Sequence, residues 1–92
     1  MELIFRPKFY RDLRKIKNIK VLRTLSDIFR QIEHAESIEK IGGLKKLHDY
    51  SHFYRIKINI SPKSDYRLVL MIRGNKVWAE RIASVKKIFF KK

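Results

Sequence analysis

Phe53-Tyr54-Arg55-Ile56-Lys57-Ile58-Asn59-Ile60 is followed, across a Pro-containing turn at residues 61–64, by Tyr66-Arg67-Leu68-Val69-Leu70-Met71-Ile72-Arg73. In the first run Tyr54, Ile56, Ile58 and Ile60 alternate with Arg55, Lys57 and Asn59. In the second, Tyr66, Leu68, Leu70 and Ile72 alternate with Arg67, Val69, Met71 and Arg73. A period of two with one apolar set is the pattern of strands that bury one face. Gly74-Asn75 reads as a tight turn, and residues 77–83 as a last strand. The second half of the chain is therefore an antiparallel three-strand meander.

Upstream the period changes. Residues 2–6, with Leu3, Ile4 and Phe5, read as a strand that Pro7 ends; a proline also suits the first turn of a helix. Phe9, Leu13 and Ile16 then recur at helical spacing over about three turns. Asn18 interrupts the pattern. Leu22, Leu25, Ile28, Phe29 and Ile32 form the apolar stripe of a second helix running to about Ala35, with Arg23, Asp27, Arg30 and Glu33 on its other side. Two helices this close in sequence suggest a helical hairpin. Residues 36–52 lack a period and read as a loop with the flexible turn Gly42-Gly43 and a short strand near 44–47. Residues 84–92 read as a short basic helix or tail. The expectation is one α+β domain over residues 1–92, its helices covering one face of a mostly antiparallel sheet.

Charge narrows the function. The 92 residues carry 23 Lys and Arg against 9 Asp and Glu, a formal net charge of +14. The excess is uneven: residues 1–49 hold 12 basic and 7 acidic residues, whereas residues 50–92 hold 11 basic residues against Asp65 and Glu80 alone. Such a domain favours polyanionic partners. A chain without cysteine excludes disulfides and thiolate metal sites, which fits a reducing cytoplasm. Nothing approaches the roughly 18 apolar residues of a membrane span, and Met1 to Pro7 do not read as a signal peptide.

Alternation places Arg55 and Lys57 on the face opposite the isoleucines. Pairing across the turn at residues 61–64 can bring Arg67 to the same face, and Arg81 can reach it if the register of the last strand allows. Clustered cations on an open sheet face are suited to phosphates. A phosphodiester undergoing cleavage gains charge at its transition state, which fixed Arg and Lys groups stabilise directly. In RNA the neighbouring 2′-OH supplies the nucleophile. From spacing alone, a solvated strand face that merely holds phosphates or an acidic partner is as good a reading.

Other chemistries find less support. No Gly-rich phosphate loop and no Gly-x-Ser-x-Gly occurs. His48 and His52 have the spacing of helix-borne metal ligands, but they lie in an aperiodic segment without an accompanying carboxylate motif. No metal and no cofactor is expected. Trp78, Phe89 and Phe90 are candidates for stacking on bases, with core packing the simpler reading for Trp78.

Leu44-Lys45-Lys46-Leu47, Tyr54-Arg55-Ile56-Lys57-Ile58 and Asp65-Tyr66-Arg67-Leu68-Val69 together resemble the RelE/ParE toxin superfamily, whose members show "KLKG", "YRIRI" or "YKIKL", and "DYRL" segments in this order. The upstream strand and helices fit as well, so the resemblance spans essentially the whole chain. It implies the toxin of a type II toxin–antitoxin system, of the kind also described as plasmid stabilisation proteins. In the RelE-like branch the toxin enters the ribosomal A site and cuts messenger RNA. In the ParE-like branch it poisons DNA gyrase. Either is neutralised by a cognate antitoxin, here expected to be an acidic segment that folds on binding.

Carried onto this chain, the resemblance makes Arg55, Lys57 and Arg67 residues of the active face, with Arg67 binding the scissile phosphate, and Arg81 a fourth member. Lys45, Lys46, Lys86, Lys87 and Phe89 are then expected to contact RNA. The C-terminus departs from the family pattern "R-x-x-H-R-x-x-I-Y". Arg81 and Ile88 match, but the histidine is replaced by Ser84, the second arginine by Val85 and the tyrosine by Phe89. The usual proton-transfer groups are missing, and these typically contribute about 10²- to 10⁴-fold. Lys86 or Lys87 is the candidate replacement. A non-nucleolytic relative, or a generic nucleic-acid-binding module, is the alternative.

Overall fold

The structure, a computed structural model, describes residues 1–61 and 64–84. Strand β1 (Glu2–Phe5) leads into helix α1 (Pro7–Arg14) and helix α2 (Ile19–His34). A 3-10 turn (Ile38–Lys40) precedes β2 (Leu44–Lys46), β3 (Phe53–Ser61), β4 (Ser64–Arg73) and β5 (Lys76–Ser84). The strands form one sheet in the order β1-β5-β4-β3-β2. β2, β3, β4 and β5 pair antiparallel in sequence, and β1 joins the far edge parallel to β5. The expected α+β architecture is present, with the short strand before the meander in place.

Local chemistry explains the element ends. Pro7 opens α1 with its ring already at helical φ. The helix is shorter than its apolar stripe: it stops at Arg14, and Ile16 reaches the core from a turn in which its N–H donates to the Leu13 carbonyl. Asn18 then caps α2, its side-chain oxygen accepting from the Lys20 N–H at 2.9 Å. Gly43 turns the chain into β2 at φ +74°, a conformation open to glycine at little cost.

One face of the sheet is the core. Ile56 and Ile58 from β3, Leu68, Leu70 and Ile72 from β4, and Val77, Ala79 and Ile82 from β5 meet Phe9 of α1 and Val21, Leu25 and Ile32 of α2. Phe5, Phe9 and Phe29 stack edge-on or tilted where β1 and the two helices converge, with ring centroids 5.1–5.6 Å apart. Both helices thus lie on this side of the sheet. No helix among the described residues is long and apolar enough to cross a membrane.

A bulge sets what the other face carries. Val69 pairs with Arg81 and Leu70 with Ala79, so Glu80 is an extra residue in β5. Strict alternation from Val77 and Ala79 would turn Arg81 into the core and Ile82 out of it. The inserted Glu80 reverses this: Ile82 is buried, while Arg81 takes the register of outward-facing Val69.

Candidate nucleic-acid interface

The face away from the helices is built in cross-strand rows. Lys57 of β3 lies directly opposite Arg67 of β4, which in turn lies opposite Ala83 of β5. One row along, Lys45 of β2, Arg55 of β3, Val69 of β4 and Arg81 of β5 stand side by side. Directly opposed residues of an antiparallel pair have Cβ atoms about 4.5–5.5 Å apart, and diagonal ones about 7–8 Å. Arg67 therefore faces Lys57 directly and Arg55 diagonally. Like charges so placed oppose folding.

The electrostatics of Arg67 register this crowding. Partial burial and the neighbouring Arg55 charge both push its pKa below the usual arginine value, while Asp65 on the same strand pulls it back up. Arg55 and Arg67 are half-buried and Lys57 is exposed. A cation that is partly stripped of water and set beside another cation gains more from an arriving anion than a fully solvated one does.

Arg81 is held differently. Its Nε donates to Asp12 Oδ2 at 2.7 Å and its Nη2 to Asp12 Oδ1 at 3.0 Å, a two-pronged pair. The same Asp12 Oδ2 accepts from the Ile82 N–H at 3.0 Å. The reason lies in strand lengths: β1 ends at Phe5, which pairs with Ala79, so the edge of β5 beyond that point has lost its strand partner. Asp12, reaching down from α1 and only 8% exposed, supplies the missing acceptor. The Asp12 pair raises the Arg81 pKa against the effect of burial. Asp12 is the residue that reading the sequence missed. Its signal was present: it sits three residues after Phe9 and four before Ile16, within the apolar stripe of the first helix.

Not every expected contact residue joins the face. Lys46 pairs with Tyr54 and so belongs to the opposite side at the exposed β2 edge, whereas its neighbour Lys45 shares the row of Arg55. His48 and His52 lie in the loop between β2 and β3, with His52 at φ +67°, so the helical four-residue spacing is absent. Ser84 ends β5 opposite Tyr66, one residue past the cation rows. Lys86, Lys87, Phe89 and Phe90 lie outside the described residues, as do the central residues of the turn at 61–64.

Trp78 departs from the core reading. It pairs with Met71 and Ile4 on the open face and is half-buried, with the Arg6 guanidinium 5.5 Å from its ring centroid. Arg6 is itself tied to the bulge residue Glu80 at 2.9 Å. Trp78 thus extends an apolar row beside the cations: Phe53, Met71, Trp78 and Ile4, from β3 to β1.

Comparison with known proteins gives the fold a place. The chain is similar to the RelB–RelE antitoxin–toxin complex of Methanococcus jannaschii (TM-score 0.77, 20% identity, covering 94% of each chain). It is similar to the isolated Escherichia coli RelE toxin (TM-score 0.63, 19% identity, 90% of this chain and 82% of that one). The YoeB–YefM complex of Staphylococcus aureus is comparable, with a TM-score of 0.67 and 21% identity over 89% of this chain and 93% of that one. No protein-family model and no curated protein matches the sequence.

Proposed function

We propose, from the premise that this chain has the fold of the RelE-like toxins, that it is the toxin of a toxin–antitoxin pair and a ribosome-dependent messenger RNA endonuclease. The observation that carries the reading is the placement of Arg67 opposite Lys57 and diagonal to Arg55 on the sheet face away from the helices. Opposed like charges there oppose folding, and a phosphate between them relieves that repulsion.

The chemistry follows from the charges. RNA supplies its own nucleophile: the 2′-oxygen forms a bond to phosphorus, the bond to the 5′-oxygen breaks, and a 2′,3′-cyclic phosphate and a 5′-hydroxyl result. Arg67 and Arg55 hold the phosphate oxygens as their charge grows, and Lys57 lies beside them. One proton must leave the 2′-OH and one must reach the 5′-oxygen. With Ser84 in the histidine's place, those transfers fall to lysine, Lys57 or the pair Lys86 and Lys87, and cleavage is slow for such an enzyme. This reading uses fixed cations and no metal.

Ser84 also favours a second reading, a non-nucleolytic member that binds its antitoxin or poisons DNA gyrase. The two separate on one experiment. Messenger cleavage by the wild type on programmed ribosomes, absent in Arg67→Ala, supports the nuclease. Arrest of growth without cleavage, together with gyrase inhibition, supports the poison. The same face, on a chain of net charge +14, suits an acidic antitoxin segment in either case.

A further inference from the structure

The cation rows end at an aromatic pair that the RNA-cleavage chemistry does not use. Phe53 lies in the open-face row next to that of Arg55 and Lys45, two residues further along β3, about 6.7 Å away. Beside it, from the loop between β2 and β3, the Tyr50 ring sits edge-to-face at a centroid separation of 6.1 Å and an angle of 65°. Tyr50 is 63% exposed, the most exposed large hydrophobic residue among those described. The loop that presents it is held at its end: Phe53 N–H donates to the Tyr50 carbonyl, and Ile72 N–H donates to that of His52 at 2.8 Å. His52 adopts φ +67° to make this turn, a conformation that non-glycine residues rarely adopt.

We infer that Tyr50, backed by Phe53, is a stacking platform for an unpaired nucleobase of a single-stranded RNA whose phosphates lie on Lys45, Arg55, Lys57 and Arg67. The inference rests on the RNA reading of the cation face and adds the site for the base. Charge and spacing favour one occupant: the row adjoining Phe53 carries Lys45 and Arg55, which suits a chain that brings anionic and flat apolar groups at about one-nucleotide spacing. An anionic backbone with bases does so. Trp78, further along the same row, is less available, because Arg6 already covers one face of its ring. A base stacked on Tyr50 must be unpaired, so the site selects single strands over duplexes.

The test is affinity for a short single-stranded RNA carrying 2-aminopurine, whose fluorescence is quenched on stacking, titrated with the wild type, Tyr50→Ala, Tyr50→Phe and Lys57→Gln. Tyr50→Ala is expected to weaken binding roughly 5- to 100-fold and to abolish the quench. Its salt dependence should be unchanged, because no phosphate contact is lost. Tyr50→Phe, which keeps the ring and loses the hydroxyl, is expected to bind like wild type. Lys57→Gln should keep the quench at saturation and flatten the salt dependence. If Tyr50→Ala binds and quenches as wild type while Lys57→Gln loses affinity, the platform is wrong and the RNA reading stands. If the wild type shows no affinity for RNA, both fall. A loss in Tyr50→Ala that Tyr50→Phe shares overturns stacking in favour of a hydrogen bond from the phenol.

Discussion

Asp12 shows how much one side chain decides. It caps the unpaired edge of β5 and fixes Arg81 with three hydrogen bonds in all. Asp12→Ala leaves the Ile82 N–H without its acceptor and is expected to lower stability by about 2–3 kcal/mol, read by urea denaturation. Burial by itself raises the Asp12 pKa, but the Arg81 and Ile82 hydrogen bonds and the charges of Arg81 and Lys15 outweigh it, so the carboxyl is held below the usual aspartate value. A depressed folded-state pKa means that the contribution is complete above the unfolded-chain value and disappears as pH falls through the folded one. The Tm difference between wild type and Asp12→Asn should therefore be constant from neutral pH to about 5 and shrink below about pH 4. A difference that grows on acidification contradicts the assignment. Arg55, Lys57 and Arg67 were legible from alternation alone, since three polar residues on two amphipathic strands leave little choice of face. Asp12 was not, because its partners lie 69 and 70 positions away, and only its place in an apolar stripe hinted at them.

At the scale of elements, β5 carries the main lesson. Its apolar positions Val77, Ala79 and Ile82 break the period of two, and the break marks the bulge at Glu80. Periodicity located the strand but could not fix its register, which is why the side taken by Arg81 stayed open until the pairing was seen. The bulge has a direct consequence. Deleting Glu80 removes the bulge and leaves Val77, Trp78, Ala79, Arg81 and Ile82 in strict alternation, with Arg81 still opposite Val69 and Ile82 still on the buried face. The variant is expected to keep its cooperative thermal transition, and Glu80→Ala, which keeps the extra residue and removes the ion pair with half-exposed Arg6, should cost less than about 1 kcal/mol. Loss of cooperative unfolding in the deletion variant contradicts this account of the strand. The helices were legible for the opposite reason: their stripes are strong, and Asn18, which the structure shows capping α2, marks the break between them. Asn18→Ala should lower stability by about 1 kcal/mol.

Across the whole molecule, the helices occupy one side of the sheet and leave the other to charge. A net charge of +14 on 92 residues predicts salt-sensitive association with polyanions, and in the proposed function the rows on the face away from the helices hold the phosphates. Removing one phosphate contact, as in Lys57→Gln, should reduce the slope of log affinity against log salt by roughly 1. Composition and the paired strand motifs carried that expectation, and the strand pairing sets Lys45, Arg55, Lys57, Arg67 and Arg81 in adjacent rows. The apolar row and the Tyr50 loop beside the cations were hidden, because they are assembled by pairing between strands and by a turn without a periodic signal. The most direct test of the central claim is messenger cleavage on programmed ribosomes by wild type and Arg67→Ala, with circular dichroism confirming that both are folded. The account predicts cleavage by the wild type and a loss of about 10²- to 10³-fold in the variant. A folded Arg67→Ala protein that cleaves as well as wild type contradicts it.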